Sequence, residues 1–418
     1  MKSTVLFIIL IFSGIASWAQ TYVSGGIYVN TTWTKTGSPY IVVGDVAVFE
    51  TYTLTIEPGV EVRFRDGKML DIRGNLIANG TKADSIKFTS DSAAPAAGSW
   101  QYIQFEYRSK ASFSYCTIEY SSKGIYYNSG SFSTYRFSHC RFSYNFEGIS
   151  SNELYGAQRV DSSVFSYNTY GINSTSMEND TVTHSSFFGN KYGIESAGFS
   201  SISHCDFHDN SVVGLSGGSS SLRHCSFFNN ETGLQFCFGG GTEAGSMISD
   251  SITNNNIGLV ICGGTPYAIC RFNWIYNNST WNVKNTSQYS GADLRDNCWG
   301  STDSAFIESK IYDGKDDITV GLVYFMPFLT NCDSILGVNK HLEPEAHELF
   351  PNPSNGIIRL SGMDKAFTYE ILSCNSTLIR KGVSLNSAIE ISDLDCGLYF
   401  LRVCNKNRVL VKKFIKTN

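Results

Sequence analysis

Charge is scarce in this chain of 418 residues: Asp, Glu, Lys and Arg make up 17%, against about 25% in ordinary soluble domains. Proline is scarcer, with 8 residues. The Ala/Glu/Lys/Leu mixture of long helices is missing, which excludes a coiled coil. The net charge of -5 lacks the basic excess of a nucleic-acid binder. No run reaches the ~20 apolar residues of a membrane span. What is present is 14% aromatic residue, with 28 Phe, 23 Tyr and 38 Gly. These suit strands and tight turns and exclude a disordered chain. The length implies two or three units.

The first residues read as an export leader. Lys2 supplies a positive start, residues 5–12 are apolar, and Ser17-Trp18-Ala19 puts small residues where a signal peptidase reads. The expectation is a signal peptide over 1–19, with cleavage before Gln20. The 12 cysteines would then meet an oxidising compartment.

The middle of the chain repeats. An aromatic or Ile is followed after three residues by Asn, then by Gly and an aliphatic residue. The copies include Phe142/Asn145/Gly148, Phe165/Asn168/Gly171, Phe187/Asn190/Gly193, Phe207/Asn210/Gly214, Phe227/Asn230/Gly233 and Ile252/Asn255/Gly258. From Gly124 to Gly258 these glycines lie 19 to 25 residues apart. Each unit alternates polar and apolar residues over short stretches and holds no helix-length pattern. A period near 22 built of short strands is one turn of a parallel β-helix. With rungs ~4.8 Å apart, the phenylalanines should stack inward. The asparagines should form a hydrogen-bonded ladder at a corner. The glycine is expected to supply a turn angle that other residues resist.

Residues 54–64, 70–81 and 86–90 resemble the opening rungs of secreted right-handed β-helix proteins of the pectin-lyase-like superfamily. Residues 297–303, 311–317 and 323–330 are similar to the closing segment of that group. The resemblance implies an all-β solenoid, with opening rungs over 20–97 and repeats and closing segment over 98–330.

Residues 331–347 read as a polar linker. Beyond them, alternating strands separated by turns suffice for a small β-sandwich over 348–418. Pro351, Asn352, Pro353, Gly356, Gly397, Tyr399, Lys412 and Lys413 stand in the order that resembles the C-terminal sorting domain of the type IX secretion system. Cys374, Cys396 and Cys404 depart from that pattern. The resemblance implies the Bacteroidetes-type outer-membrane secretion machinery as partner, and a secreted or surface location reached through the periplasm.

Several residues bear on chemistry. His139, His184, His204 and His224 each precede a repeat aromatic by three residues. By strand parity, His204, Asp206 and His208 should share an outer face as acid–base candidates. His184, His204 and His224 on adjacent rungs are candidate metal ligands. Tyr144, Tyr167 and Tyr192 are candidates for stacking on sugar rings. Cys116/Cys140, Cys205/Cys225 and Cys237/Cys262 align between rungs. They read either as disulfides or as buried thiols used as apolar filler. Four Asp-Ser/Thr-aliphatic triplets, at Asp84, Asp180, Asp250 and Asp333, resemble the Bacteroidetes O-glycosylation sequon. The paired-Asp, Gly-His-Gly and Arg-x-Lys signatures of polygalacturonase-like hydrolases do not occur in the rungs. The sequence names no cofactor. The expectation is a non-enzymatic adhesion or glycan-binding shaft, with a polysaccharide lyase or glycoside hydrolase as the alternative.

Overall fold

The computed structural model describes residues 20–127, 134–151, 157–174, 180–196, 201–217, 221–237, 246–262, 269–288, 291–332, 349–360, 367–373, 378–384, 388–405 and 408–417. The leader 1–19 and most of the linker lie outside them. The chain divides into two compact units, Met1–Leu336 and Gly337–Asn418.

The first unit is a parallel β-solenoid of about 10 turns. One rung shows the design. The strands Thr134–Ser138, Arg141–Ser143 and Glu147–Ser151 form three sides, joined by two tight corners. Each strand pairs in parallel with its equivalent one rung on. The first sides make an 11-stranded sheet, and the other two merge into one of 23 strands. The repeat sets this register. Phe142, Phe165, Phe187, Phe207 and Phe227 are paired residue for residue and fully buried. Their rings stack at 4.7, 4.7, 4.9 and 4.8 Å, within 8° of parallel. Burial of such rings, each removing 150–250 Å² or thereabouts from water, is what holds one rung to the next.

The asparagine ladder forms as its spacing predicts. Asn168 Oδ1 accepts from the Asn145 backbone nitrogen (2.9 Å) and from its Nδ2 (3.1 Å). Asn168 Nδ2 in turn donates to the Phe142 carbonyl (3.0 Å) and to Asn190 Oδ1 (3.1 Å). The same contacts run on through Asn210, Asn230, Asn255 and Asn278. The corner's backbone polar groups are thereby satisfied away from water.

The glycines act differently from the expectation. None of Gly124, Gly148, Gly171, Gly193, Gly214 and Gly233 has a positive φ. They mark a close approach between rungs instead. A Cβ would stand 2.5 to 2.8 Å from the next glycine's carbonyl at Gly124, Gly148, Gly214 and Gly233, and closer still at Gly171 and Gly193. The left-handed corner conformations fall to other residues. His139, His184, His204 and His224 hold φ of 49–55° at the first corner, and Tyr144 and Tyr167 hold 58° at the second.

A disulfide between Cys298 and Cys332 ties the closing segment together. The Trp274 indole donates to the Cys332 carbonyl beside it (3.1 Å). The short helix Ser304–Glu308 is capped by Asp303.

The second unit consists of two antiparallel sheets, of three and four strands. Ile358, Leu360, Phe367, Ile371, Leu401 and Phe414 are among its buried core. This fits the small β-sandwich read from the sequence.

Candidate functional site

The first corner carries the histidines. Left-handed backbone at these residues turns the chain, yet burial alternates onward from the histidine: His204 is exposed, Cys205 buried, Asp206 exposed, Phe207 buried and His208 half-buried. His204 lies at the corner, outside the strand Asp206–His208, so the three side chains all point outward, His204 from the corner and Asp206 and His208 from the outer face of the strand. Asp206 is exposed. His208 lies flat between Phe188 (5.1 Å) and Phe228 (4.8 Å), with Nδ1 2.6 Å from Asp209 Oδ2.

His204 stacks between His184 and His224, 5.0 Å from each. Imidazole lone pairs lie in the ring plane, so stacked rings do not converge on one ion. His184 Nδ1 is also engaged by Asp161 Oδ1 at 3.1 Å. Burial, then the charges of His204 and Arg223, press the His224 pKa down. Among the described residues no group of three His, Cys, Asp or Glu is placed to hold a metal.

The second corner presents aromatics. Tyr144 and Tyr167 are 46% and 53% exposed. With Tyr120 they form a column stacked at 5.7 and 5.3 Å. Tyr167 lies over Gly189, where a Cβ would stand 2.8 Å from its ring. Phe188 then meets Tyr167 edge-on at 5.7 Å. Because the rings cover one another's faces, the column offers mainly ring edges to a ligand. Tyr192 belongs to the third side, stacked on Tyr170 at 4.8 Å. Phe146, 48% exposed, links the two sets by an edge contact with Tyr170 at 6.1 Å.

The third side also holds groups that repeat spacing does not reveal. Glu147 is 7% exposed. Its Oε1 accepts from Asn173 Nδ2 at 3.1 Å, and its Oε2 lies 3.8 Å from Lys123 Nζ. That ammonium sits 4.1 Å from the centre of the Tyr126 ring, a cation–π contact. Glu195, two rungs from Ser150 in the same row, has its pKa raised by burial. Burial raises Tyr170 too, followed by the charge of Glu195. Lys123 and Glu147 share the repeat position just before the glycine, and Tyr126 and Asn173 share the one two residues after it, but the residue type changes from rung to rung, so the repeat does not single them out.

The cysteines divide. Cys116, Cys140, Cys205 and Cys225 are buried free thiols, in keeping with apolar filler. Cys237 and Cys262 pair across adjacent strands, and Cys262 is disulfide-bonded. Of the Asp-Ser/Thr-aliphatic triplets, Asp180 and Asp250 are buried, whereas Ser85 is exposed. The triplet at Asp333 lies outside the described residues, as do Cys374 and the Cys404 side chain.

In the tail the expected sorting residues meet. Asn352 brackets the last strand, accepting from the Ile415 backbone nitrogen and donating to the Lys413 carbonyl, both at 2.9 Å. Pro351 and Pro353 flank it. Gly397 and Tyr399 pair with Lys416 and Phe414, and Lys412 and Lys413 lie on that partner strand. The Gly356 carbonyl accepts from Ile391 at 2.6 Å.

Residues 348–417 match the secretion system C-terminal sorting domain. Residues 101–246 match the right handed beta helix region. No curated protein matches the chain. The chain is thus a right-handed parallel β-helix followed by a type IX secretion sorting domain. That tail assigns it to export and to a cell-surface or extracellular location.

Proposed function

We propose that this exported β-helix is a non-enzymatic glycan-binding shaft. The observation that carries the reading is the exposed aromatic surface formed by Tyr144, Phe146 and Tyr167, continued by Tyr170 and Tyr192. It runs along the solenoid axis across the rungs of Tyr144, Tyr167 and Tyr192, so a linear polysaccharide lying on it meets aromatic surface on each of these neighbouring rungs. Tyrosines combine apolar area with a hydroxyl, which suits sugar rings with their apolar and hydroxylated parts. The proposed route is cleavage of residues 1–19, passage through the periplasm and export by the type IX machinery.

A second reading, a polysaccharide lyase or glycoside hydrolase, is favoured by Glu147 held between Lys123 and Asn173, because a fixed carboxylate beside a lysine suits acid–base work.

One experiment separates them. The purified full chain is incubated with a panel of polysaccharides, and both retention and new chain ends are measured. Retention without new ends, weakened about tenfold by Tyr144→Ala with Tyr167→Ala, supports the shaft. New ends that disappear in Glu147→Gln overturn it in favour of an enzyme.

A further inference from the structure

The second-corner column does not start at Tyr120. The pairing of the opening rungs places residues 43–45, 65–69 and 91–99 one above another in the same column, and the next rungs bring Tyr120 and Tyr144. In these opening rungs the corner is long and irregular, and it borders a shallow, open cavity of about 410 Å³. Val43, Arg65, Asp66, Lys68, Asp91 and Ser92 line it.

The cavity's chemistry differs from the tyrosine column below it. Two cations and two carboxylates face a small volume. The Arg65 guanidinium is 54% exposed and touches Asp91 only loosely, with Nε 3.6 Å from Oδ2. Its planar fork therefore keeps donor groups for a bidentate anion. Lys68 stands three residues on, held by a turn in which its backbone nitrogen donates to the Arg65 carbonyl (3.1 Å). Gly67 closes that turn with φ +67°. Tyr22, 59% exposed, lies against the guanidinium, whose carbon is 5.9 Å from the ring centre. Arg65 and Lys68 suit an anionic substituent, Asp66 and Asp91 suit hydroxyl donors, and Tyr22 and Val43 supply apolar surface. A sugar carrying one anionic group and free hydroxyls meets all three.

We propose that this cavity is an anchoring subsite for an anionic sugar residue, with the rest of the polymer continuing along the tyrosine column. The proposal rests on the glycan-binding reading and adds a ligand class and a polarity to it.

The test uses one glucan in three forms: unmodified dextran, carboxymethyl-dextran and dextran sulfate. Binding to the full chain is measured at about 0.15 M salt, where exposed charges are substantially screened. At least one anionic form is expected to bind about tenfold more tightly than the parent. Arg65→Gln with Lys68→Gln should erase that preference while leaving dextran binding and the melting temperature unchanged. The arm that shows the preference identifies carboxylate or sulfate as the group recognised. Equal binding of all three forms, or a preference that survives the double variant, overturns the subsite and leaves the shaft standing. Absence of binding in every arm and to every member of the wider polysaccharide panel overturns the shaft and the subsite together.

Discussion

Asp250 Oδ1 accepts from the Cys225 backbone nitrogen at 2.7 Å, the place that asparagine fills one rung later. There Asn273 accepts from the Asp250 nitrogen (2.9 Å) and uses its Nδ2 to donate to the Met247 carbonyl (3.0 Å). Asp250 has an oxygen where Asn273 has that donor, and its Oδ2 is buried without a partner. Burial drives its pKa well above the ordinary carboxyl range, which favours the protonated acid in the folded chain. A carboxyl that binds its proton more tightly when folded gives stability that is complete at acid pH and lost as pH rises. Asp250→Asn should therefore raise the unfolding free energy at pH 8 by about 1–3 kcal/mol, with the gain shrinking toward pH 4. Asp180, pushed up by burial to about 7, adds a loss of the same sign between the ordinary carboxyl range and about pH 7. Urea titrations of both Asn variants across this range measure each effect. A gain at Asp250 that does not depend on pH would refute the raised pKa.

Gly171→Ala should destabilise far more than Gly67→Ala. The first Cβ collides with the Gly193 carbonyl, whereas the second meets open space and carries only the strain of its positive φ, about 1 kcal/mol. Separating the Gly171 and Gly193 rungs breaks burial on both neighbours, so a loss above about 3 kcal/mol is expected. Comparable melting temperatures for the two variants would show that the rungs move apart freely.

The buried thiols should be chemically silent. Burial shields all five thiols, and desolvation raises the pKa of Cys116, Cys225 and Cys270 away from the reactive thiolate. At Cys140 desolvation is outweighed by hydrogen bonds, that with Cys116 foremost, which lower the pKa, so its inaccessibility alone protects it. Mass spectrometry after alkylation at pH 8 should find Cys116, Cys140, Cys205, Cys225 and Cys270 unmodified in the native chain and fully modified after unfolding. Native labelling of any of them would mean that the solenoid opens at that rung.

Delivery beyond the cell envelope should require the tail. Deleting 348–418 from a chain expressed in a host with type IX secretion should keep the β-helix inside the cell envelope, while the intact chain reaches the surface or medium. Fractionation with immunoblotting reads the outcome. Normal surface delivery of the truncated chain would mean that the sorting signal lies elsewhere.

The core was legible because it repeats by identity. Phe142 through Phe227 and Asn145 through Asn278 recur at nearly constant spacing, and a solenoid turns constant spacing into contact. The inner ladder of the first corner was not, because Cys140, Ser163, Ser185, Cys205, Cys225, Asp250 and Asn273 fill equivalent places with four residue types. Strand parity carries back from Phe207 to His204, whose exposed side chain alternates with buried Cys205, but parity does not show that His204 turns the corner with left-handed backbone. The role of the glycines is not legible either, since a close approach between rungs and a special φ look alike in sequence. The cavity at Arg65 and Lys68 escaped because it sits where the opening rungs abandon the repeat. The Cys298–Cys332 link belongs to the closing segment and follows no period.

The asparagine ladder has a direction. It begins where Ser121 donates through its nitrogen and its Oγ to Asn145 Oδ1 (2.9 and 2.6 Å). It stops where Asn278 turns to Asn282, four residues on in the same rung (3.2 and 3.0 Å). Every link between these termini is the same link. A turn of the coil can be copied or removed inside the run with each amide still finding a partner, while the same edit at either end strands one. Duplication is thus a mild change in the interior and a damaging one at the ends, which leaves shaft length as the dimension freest to drift.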